Sequence, residues 1–445
     1  MGMKVSLILP SLNVVKYIRQ CLDSVLGQTL SDIEVLCIDA GSNDGTREIL
    51  QEYADMDTRI ILINSPIKSY GYQVNLGISV AHGEYIGIVE TDDYIKDNMY
   101  EYLYNLAIEH DADMVSADAL MVNNVSNNNV GRNIFTGDYT SRYFQVWNNT
   151  DLLIRHVLDQ SIWDGIYKRK FLLQRKIRCN ESKGAAFQDI GFLQQVHTFA
   201  ENVVFSNQTL YCYRADRPDS STNMPGWLKY IRQEWQFIIN HDMCMQEEWL
   251  VHKRAVITRL VLAFICELRR SLIQSNYQYT NTEWYAEYWW LRERTIQCVS
   301  DGMVIEAWLS VYERKQLWLL VNTENGFFDM LKLEYCFPKY ESDMLLHWAD
   351  EPSVIFGCGA LGKKVYDILL QSGRTVKGFV DNNSELWGTE YDGIKIYPPE
   401  DLNSCLNDFS VIVCNVYYSE EICSQLRRLG INEAKIHVYS PNGVR

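Results

Sequence analysis

Three carboxylates follow a short apolar run near residue 90. The run YIGIV predicts a buried strand, and Glu90, Asp92 and Asp93 come directly after it. Like charges this close together repel, and burial raises the cost unless a positive partner neutralises them. Mg²⁺ and Mn²⁺ prefer oxygen ligands and often bind through one or two carboxylates plus the phosphates of a substrate. The cluster is therefore a solvated turn that caps the next helix, a contact for a basic partner, or a metal site.

A second polar cluster follows another apolar run, IEVLCI, which ends at Asp39. The two glycines of the next segment, GSNDGT, permit a tight backbone path, and Ser42 or Asp44 can cap a helix that begins near Thr46. Asp39 itself has no evident helix to cap. A carboxylate at the end of a strand is well placed to accept hydrogen bonds from a base or a ribose.

The elements that must position these side chains alternate along the first ninety residues. The predicted strands are KVSLIL, IEVLCI, RIILIN and YIGIV, and helical patterns lie between them. This order predicts an α/β fold with a mainly parallel, doubly wound sheet, in which ligands bind at the carboxyl ends of the strands. The polar clusters that follow the four strands are residues 10–13, 39–46, 64–65 and 90–93. We therefore expect them to meet at one edge of the sheet.

Length and composition predict a well-packed protein of two or three domains. The chain has 445 residues, of which 47% are hydrophobic, so it is not a largely disordered protein. Changes in pattern divide it into a sheet domain (1–225), a helical, aromatic-rich region (226–349) and a small α/β domain (350–445). The formal net charge of −16 argues against nonspecific attraction to nucleic acid or anionic lipid.

The sequence also predicts the compartment. The 12 cysteines are scattered and form no C-x-x-C pair, as expected of reduced cysteines in the cytoplasm. The N-terminal residues lack the layout of a signal peptide, and the apolar segment at 255–266 is too short to span a bilayer and contains Arg259. We expect a cytoplasmic protein with no transmembrane segment. Peripheral membrane association and homo-oligomerisation remain open.

Six motifs in order resemble the family 2 glycosyltransferases of the GT-A fold. They are LILPSLN, VLCIDAGSNDGTREIL, NLGISVAHGEYIGIVETDD, IYKRKFL, FQDIGF and YCYR, and they cover about residues 3–220. The resemblance implies an inverting transferase that uses Mn²⁺ or Mg²⁺. Its donor is a nucleoside-diphosphate sugar, usually a UDP-sugar, and its acceptor is a hydroxyl of a glycan or glycoprotein.

The same resemblance implies a nucleotide-sugar site at the strand ends. Its residues are Pro10, Ser11, Asn13, Asp39, Ser42, Lys68, Asn75, Glu90, Thr91, Asp92 and Arg217. Glu90-Thr91-Asp92 corresponds to the D-x-D motif of the family, with the metal expected on Asp92, Asp93 and Glu90. Two residues depart from the family pattern. Glu90 replaces the first aspartate of D-x-D, and Ala40 stands where a second aspartate is common, which leaves base recognition to Asp39.

Transfer to a hydroxyl requires a base, and the leaving diphosphate requires positive charge. The family places an acidic residue at the start of a helix, which here is Asp189 in QDIGF; the alternative is a plain helix N-cap. Lys68, Arg214 and Arg217 are the basic candidates for the diphosphate, with Arg217 first.

An acceptor site is implied by SIWDGIYKRKF. Trp163 and Asp164 in this segment resemble a part of family members that lines the acceptor side, and aromatic faces stack on sugar rings. Packing of Trp163 in the core is the alternative.

A glycine-rich turn opens the predicted small α/β domain. Gly357, Gly359 and Gly362 form a GxGxxG pattern between a strand and a helix, and Asp381 lies at the end of the next strand, which predicts a Rossmann-like unit. The unit binds a nucleotide or has a structural or oligomerising role. Two further functions remain open for the chain. One is an NAD(P)-dependent nucleotide-sugar oxidoreductase, motivated by this motif alone, and the other is a non-catalytic glycan-binding or assembly module.

Overall fold

The structure is a computed structural model in which most of the chain is described. The described residues are 2–123, 129–135, 137–147, 156, 161–215, 227–240, 247–274, 282–323, 325–328, 330–331, 351–402, 409–414 and 419–439. The chain forms two compact units, 1–322 and 323–445. The first unit contains the predicted sheet domain together with most of the predicted helical region.

A ten-stranded mixed sheet forms the centre of the first unit. Its strands are β1 (Val5–Ser11), β2 (Ile33–Asp39), β3 (Ile60–Asn64), β4 (Tyr85–Ile88), β5 (Tyr94–Ile95), β6 (Met114–Val122), β7 (Val130–Arg132), β8 (Val146–Trp147), β9 (Gly165–Lys168) and β10 (Val203–Arg214). The order is β3-β2-β1-β4-β9-β6-β10-β5, with β7 beside β6 and β8 beside β10. Strands β1 to β4 are mutually parallel, and β9 runs antiparallel to β4 and β6. The predicted GT-A-type α/β fold with a mainly parallel sheet is confirmed.

Helices pack against this sheet and extend beyond it. They are α1 (Ile18–Leu26), α2 (Thr46–Met56), α3 (Tyr70–Val80), α4 (Met99–Glu109), α5 (Arg169–Gln174), α6 (Gln188–Phe199), α7 (Trp227–Asn240), α8 (Glu247–Gln274), α9 (Thr282–Ser300) and α10 (Val311–Asn322). The first three alternate with β1 to β4, as the sequence predicts.

The central strands are buried on both faces. Every residue of β1 and β2 is buried, because helices cover both faces of a parallel sheet. Helix α3 lies very close to β1. A Cβ on Gly77 would stand 2.6 Å from the side chain of Ile8, so only glycine allows this approach. Ser69 caps α3 by accepting a hydrogen bond from the backbone N–H of Tyr72 at 3.2 Å.

Part of the aromatic content of α7 and α9 is buried. Trp235 on α7 is 1% exposed, and the rings of Trp284 and Tyr288 on α9 stack with centroids 5.5 Å apart. These residues agree with the expectation of a core, whereas Trp289 and Trp318 are 42% and 60% exposed. Within the described part of the chain, no helix combines the length and the apolar character needed to cross a bilayer.

The second unit contains a smaller sheet. Its strands are β11 (Ser353–Phe356), β12 (Val376–Val380), β13 (Glu390–Tyr391), β14 (Ile394–Tyr397), β15 (Ser410–Val413) and β16 (Ile436–Val438). The order is β13-β14-β12-β11-β15-β16, and all pairs except β13 with β14 are parallel. Two helices, α11 (Ala360–Gln371) and α12 (Ser419–Arg428), accompany it. The glycine-rich turn joins β11 to α11, in the predicted strand-turn-helix context.

Candidate active site

The carboxyl ends of the central strands bring the polar clusters together. In the sheet register, Ser11 of β1 lies beside Asp39 of β2, and Asp39 lies beside Asn64 of β3. Strand β4 pairs with the other side of β1 and leads directly to the acidic loop. The expected single polar edge is therefore present.

The loops after β1 and β2 are bound to each other. Ser42 Oγ accepts a hydrogen bond from the backbone N–H of Asn13 at 3.0 Å, and Asn13 Oδ1 accepts one from the N–H of Asn43 at 2.9 Å. Asp44 Oδ2 accepts one from the N–H of Val15 at 3.0 Å. Asn13 has a φ of 54°, in the left-handed region that asparagine tolerates better than most residues. Asn13 and Ser42 thus fix the shape of this edge of the site.

Asp39 is the buried acid of the second loop. Its side chain accepts hydrogen bonds from the N–H groups of Gly41 and Ser42, both at 3.2 Å, and pairs with Arg47 at 3.1 Å. The residue is 1% exposed. The Asp39 carboxylate is thus held by the loop backbone and by Arg47, and recognition of a nucleoside by Asp39 stays a prediction.

Asp93 points into the protein. Its Oδ1 accepts a hydrogen bond from the backbone N–H of Arg214 at 2.7 Å, and its Oδ2 accepts one from the hydroxyl of Tyr211 at 3.0 Å. Burial, with the nearby charge of Glu90 as a further cause, raises the pKa of Asp93 to about 7. Asp93 therefore ties the acidic loop to β10.

Glu90 and Asp92 remain partly exposed at the edge. Glu90 Oε1 accepts a hydrogen bond of 2.5 Å from the hydroxyl of Tyr70, the first residue of α3. The backbone carbonyl of Asp92 accepts one from Arg214 Nε at 2.9 Å. In the part of the chain that the structure describes, no group of three or more His, Cys, Asp or Glu residues is arranged to hold a metal ion. The donor set of Glu90 and Asp92 is the kind that a hard cation shares with substrate phosphates.

Two buried hydroxyl groups near these acids bind backbone carbonyls. Thr91 is 2% exposed and donates to the carbonyl of Pro10 at 2.8 Å, which joins the acidic loop to the end of β1. Ser11 is 1% exposed and its hydroxyl donates to the carbonyl of Leu9 at 3.2 Å.

Asp189 lies in the first turn of α6 and is partly exposed. The N-cap of this helix is Phe187, whose φ is 65°, so Asp189 is not the N-cap that the sequence offered as an alternative. Burial raises the pKa of Asp189, and the positive charges of Arg259 and Arg132 oppose that rise. An acid with a raised pKa in such a setting is a candidate general base.

Tyr70 lies near both Asp189 and the acidic loop. Burial raises the pKa of Tyr70 well above its usual range, and the charges of Glu90 and Asp189 both contribute. Both carboxylates therefore lie within electrostatic reach of one tyrosine. Neither Tyr70 nor Arg259 is predicted as a site residue from the sequence. Arg259 was noted only for interrupting an apolar segment, and that interruption was its one signal.

The basic candidates have different surroundings. Lys68 is exposed just before α3. Arg214 is 8% exposed and holds Gln20 through Nη2 at 2.7 Å, besides its bonds to the acidic loop. Arg217 lies outside the described residues, so its assignment stays a prediction.

Asn75 faces the loop that precedes α6. Its Oδ1 accepts from the N–H of Cys179 at 2.8 Å, and its Nδ2 donates to the carbonyl of the same residue at 2.9 Å. These bonds attach α3 to residues 177–184. Binding of a nucleotide sugar by Asn75 stays a prediction.

The acceptor candidates are packed inside the protein. Trp163 is 7% exposed and stacks on Tyr211, with ring centroids 4.2 Å apart. Asp164 is 1% exposed and accepts hydrogen bonds from the hydroxyl of Ser116 at 2.6 Å and the N–H of Ser161 at 2.8 Å. These contacts match the core-packing alternative, and an acceptor role for either residue stays a prediction.

In the second unit, Asp381 closes the glycine-rich turn. Its Oδ2 accepts a hydrogen bond from the N–H of Cys358 at 2.7 Å. Gly357 has a φ of 107°, and a Cβ on Gly362 would stand 1.8 Å from the carbonyl oxygen of Gly357. Nothing lies within 4 Å of a Cβ built on Gly359. The packing explains Gly357 and Gly362 without a ligand, and nucleotide binding here stays a prediction.

Comparison with known proteins identifies the family of the first unit. The family model described as Glycosyl transferase family 2 matches residues 6–178, and a model described as C2185-like, N-terminal, matches residues 350–437. The glycosyltransferase GlyG of Streptococcus pneumoniae serotype 4 is 33% identical over 220 residues, which are 47% of this chain and 70% of GlyG. EpsJ of Bacillus subtilis, described as an uncharacterized glycosyltransferase, is 30% identical over 225 residues, 50% of this chain and 63% of EpsJ.

Solved structures show the same fold. The structure of S. aureus TarS 1–349 in complex with UDP-GlcNAc has a TM-score of 0.56 and 19% identity, and the match covers 76% of this chain and 92% of that one. The match to TarS 1–349 itself has a TM-score of 0.54. From the relationship to GlyG and the matched family model, the chain belongs to glycosyl transferase family 2 and is a glycosyltransferase.

Proposed function

We propose that the chain is an inverting, metal-assisted glycosyltransferase that moves a sugar from a UDP-sugar to a hydroxyl of a glycan or glycoprotein acceptor. The observation that carries the proposal is a shared contact: the N–H of Tyr70 and the side-chain amide of Gln188, the neighbour of Asp189, both donate to the carbonyl of Gly184, at 2.9 and 3.2 Å. Because the Tyr70 hydroxyl binds Glu90, the turn that carries the proposed base begins next to the donor edge, as displacement at an anomeric carbon requires.

The donor would lie along the carboxyl edge of the sheet. Asp39 would accept hydrogen bonds from the nucleoside, and the loops joined by Asn13 and Ser42 would hold its shape. Glu90 and Asp92 would hold Mn²⁺ or Mg²⁺, since both carboxylates are partly exposed there. The cation, when bound, stabilises negative charge on the diphosphate.

Asp189 would accept the proton of the acceptor hydroxyl as that oxygen forms its bond to the sugar. Its raised pKa strengthens it as a base, while Arg259 and Arg132 keep the charged form accessible. A half-buried position limits competing water near the carboxylate.

The first experiment identifies the donor. UDP-GlcNAc, the ligand in the TarS complex, is screened together with other UDP-sugars and GDP-sugars, by thermal shift and calorimetry, with and without Mn²⁺. We expect one UDP-sugar to bind more tightly with Mn²⁺ than without it. Preference for a GDP-sugar, or the same affinity without a divalent cation, would contradict this part of the proposal.

The second experiment tests the base. We expect Asp189→Asn to lower transfer and donor hydrolysis by about 10²-fold or more, in the range of a lost general base, with donor affinity retained. The matched control is Asp113→Asn, which also removes one carboxylate. Asp113 lies just before the amino end of β6, away from the polar edge, and accepts a hydrogen bond from the N–H of Glu201 at 2.8 Å. Full activity of Asp189→Asn would refute the assignment. Donor binding without any turnover by the wild-type protein would instead favour a glycan-binding module.

A further inference from the structure

Glu234 is a buried acid from helix α7 that the proposed reaction does not use. It is 1% exposed. Its Oε1 accepts a hydrogen bond from the backbone N–H of Gly191 at 2.8 Å, and its Oε2 accepts one from Asn180 Nδ2 at 3.0 Å. Gly191 is two residues after Asp189, in the first turn of α6. Glu234 therefore binds the turn that carries the proposed base.

The fit around Gly191 is close. A Cβ built on Gly191 would stand 2.0 Å from Glu234 Oε1 and 3.2 Å from the ring of Phe237, so any other residue would displace the Glu234 carboxylate. This contact gives a physical reason for the glycine in QDIGF, which the sequence alone leaves unexplained. A helix start attached to a neighbouring helix has less freedom to rotate or fray than one held only by its own backbone.

A second series of bonds leads from Glu234 toward the donor side. Asn180, which donates to Glu234, directly follows Cys179. The backbone of Cys179 forms two hydrogen bonds with the side chain of Asn75 on α3. The carbonyl oxygen of Asn180 would stand 1.9 Å from a Cβ on Gly71, so this loop also lies directly against the start of α3. Helix α3 begins with Tyr70, which holds Glu90.

We propose that Glu234 is a positioning residue for Asp189, which it holds in place through Gly191 on one side and Asn180 on the other. The helical segment after the sheet domain thereby contributes to the active site, although Glu234 itself touches no substrate. The inference rests on the proposed role of Asp189 as the base.

The pKa values of Glu234 and Asp189 support different roles for the two residues. Burial first, and then the charge of Asp189, raise the pKa of Glu234 to about 8. Glu234 is therefore mostly protonated at neutral pH and adds little negative charge beside the residue that must accept a proton. The other titratable or charged groups that act on Asp189 or lie beside the pair are Arg259 on α8, Arg132 on β7, Tyr70 on α3, Tyr167 on β9, and Cys179 in the loop before α6.

The test compares two variants at one position. Glu234→Ala removes both hydrogen bonds, and Glu234→Gln keeps an acceptor for Gly191 and carries no charge. The readout is hydrolysis of the UDP-sugar selected by the binding screen, with kcat and KM measured from pH 5.5 to 9.5. The matched control is Glu287→Gln, since Glu287 pairs with Arg232 of the same helix α7 at 3.2 Å.

We expect Glu234→Ala to lower kcat about 10- to 100-fold, the effect of a lost hydrogen bond that orients a charged group, with KM for the donor within about twofold. Glu234→Gln should restore kcat to within about threefold of wild type at pH 7, where the glutamine matches the protonated acid in keeping an acceptor for the N–H of Gly191. Glu287→Gln should resemble wild type.

Several results would overturn the inference. Wild-type kcat in Glu234→Ala would reduce Glu234 to a packing residue, as would equal losses in the alanine and glutamine variants. If Glu234→Ala does not fold, a loss of kcat of tenfold or more in Glu234→Gln decides against the proposal, because the glutamine keeps the acceptor for Gly191. Asp189→Asn separates the two hypotheses. Its full activity refutes the base, whereas an inactive Asp189→Asn beside a fully active Glu234→Ala refutes the positioning role alone.

Discussion

Removal of the Tyr70 hydroxyl tests how the acidic loop is held. This hydroxyl donates to Glu90 Oε1 at 2.5 Å, and the backbone N–H of Glu90 donates to the hydroxyl of Tyr211 at 3.1 Å. Glu90 is thus oriented from both its side chain and its backbone. In Tyr70→Phe the backbone bond remains, and the carboxylate can turn away from the position required to share a cation with Asp92.

The size of the effect follows from the type of hydrogen bond. A hydrogen bond to a charged group contributes about 1.5–3 kcal/mol net, and each 1.36 kcal/mol corresponds to a tenfold change in rate, so kcat/KM should fall about 10- to 150-fold. Because Glu90 is partly exposed, water can replace the lost donor, and we expect a value near tenfold. The loss should appear mainly in KM for the donor and in the Mn²⁺ concentration needed for half-maximal activity.

The control is a tyrosine–glutamate pair beside the other end of β4. Tyr104 donates to Glu84 Oε2 at 2.9 Å, near the amino end of β4 and away from the polar edge. Steady-state hydrolysis of the selected UDP-sugar is measured for Tyr70→Phe and Tyr104→Phe over a series of Mn²⁺ concentrations. Equal kcat/KM and equal Mn²⁺ dependence in the two variants would refute the argument that Tyr70 prepares the cation site.

Three further predictions concern stability and binding. Folded Glu234 keeps its proton up to about pH 8 while the unfolded residue loses it near 4.5, so folding takes up a proton between these values and wild-type stability falls as pH rises. Relative to Glu234→Gln, the wild-type free energy of unfolding should drop by up to about 1.4 kcal/mol per pH unit. The measurement is urea unfolding of both proteins at pH 5.5 and 7.5, and an equal difference between their midpoints at the two pH values would contradict this. In the second unit, Gly362→Ala should destabilise by about 2 kcal/mol or more because its Cβ meets the Gly357 carbonyl, whereas Gly359→Ala should change thermal stability little, and equal melting temperatures would disprove the packing argument. Asp92→Ala should abolish Mn²⁺-dependent UDP binding in calorimetry with folding intact by circular dichroism, and unchanged binding would remove Asp92 from the cation site.

The polar edge could be predicted because it depends on strand ends alone. Parallel strands place their carboxyl ends together, so Asp39 and the residues from Glu90 to Asp93 had to meet once the strand order was recognised. Periodicity, turn residues and a short acidic motif were sufficient. The place of Asp189 at a helix start was implied instead by the family resemblance, and α6 begins at Gln188.

Contacts that depend on packing between distant helices could not be predicted. Glu234 and Gly191 are 43 residues apart, and nothing in their local sequence indicates that α7 lies against the first turn of α6. Tyr70 and Glu90 are separated by 20 residues and a strand, and a tyrosine at the start of a helix has many equally good local explanations. Trp163 illustrates the opposite difficulty, because a tryptophan in a site-like motif can stack on Tyr211 inside the protein as well as on a sugar.

The three crowded carboxylates after β4 are stable together because they do not share one environment. Asp93 is buried, receives two hydrogen bonds, and has a pKa raised to about 7, so near neutral pH it is protonated part of the time and its repulsion toward Glu90 is reduced. Glu90 is held by Tyr70, and the carbonyl of Asp92 is held by Arg214, whose guanidinium also supplies positive charge beside the loop. One acid therefore anchors the loop while two face the edge where a cation and a diphosphate would bind. Lengthening the first acid of the motif from aspartate to glutamate allows its carboxylate to reach the Tyr70 hydroxyl, and this is a physical reason for the departure at position 90.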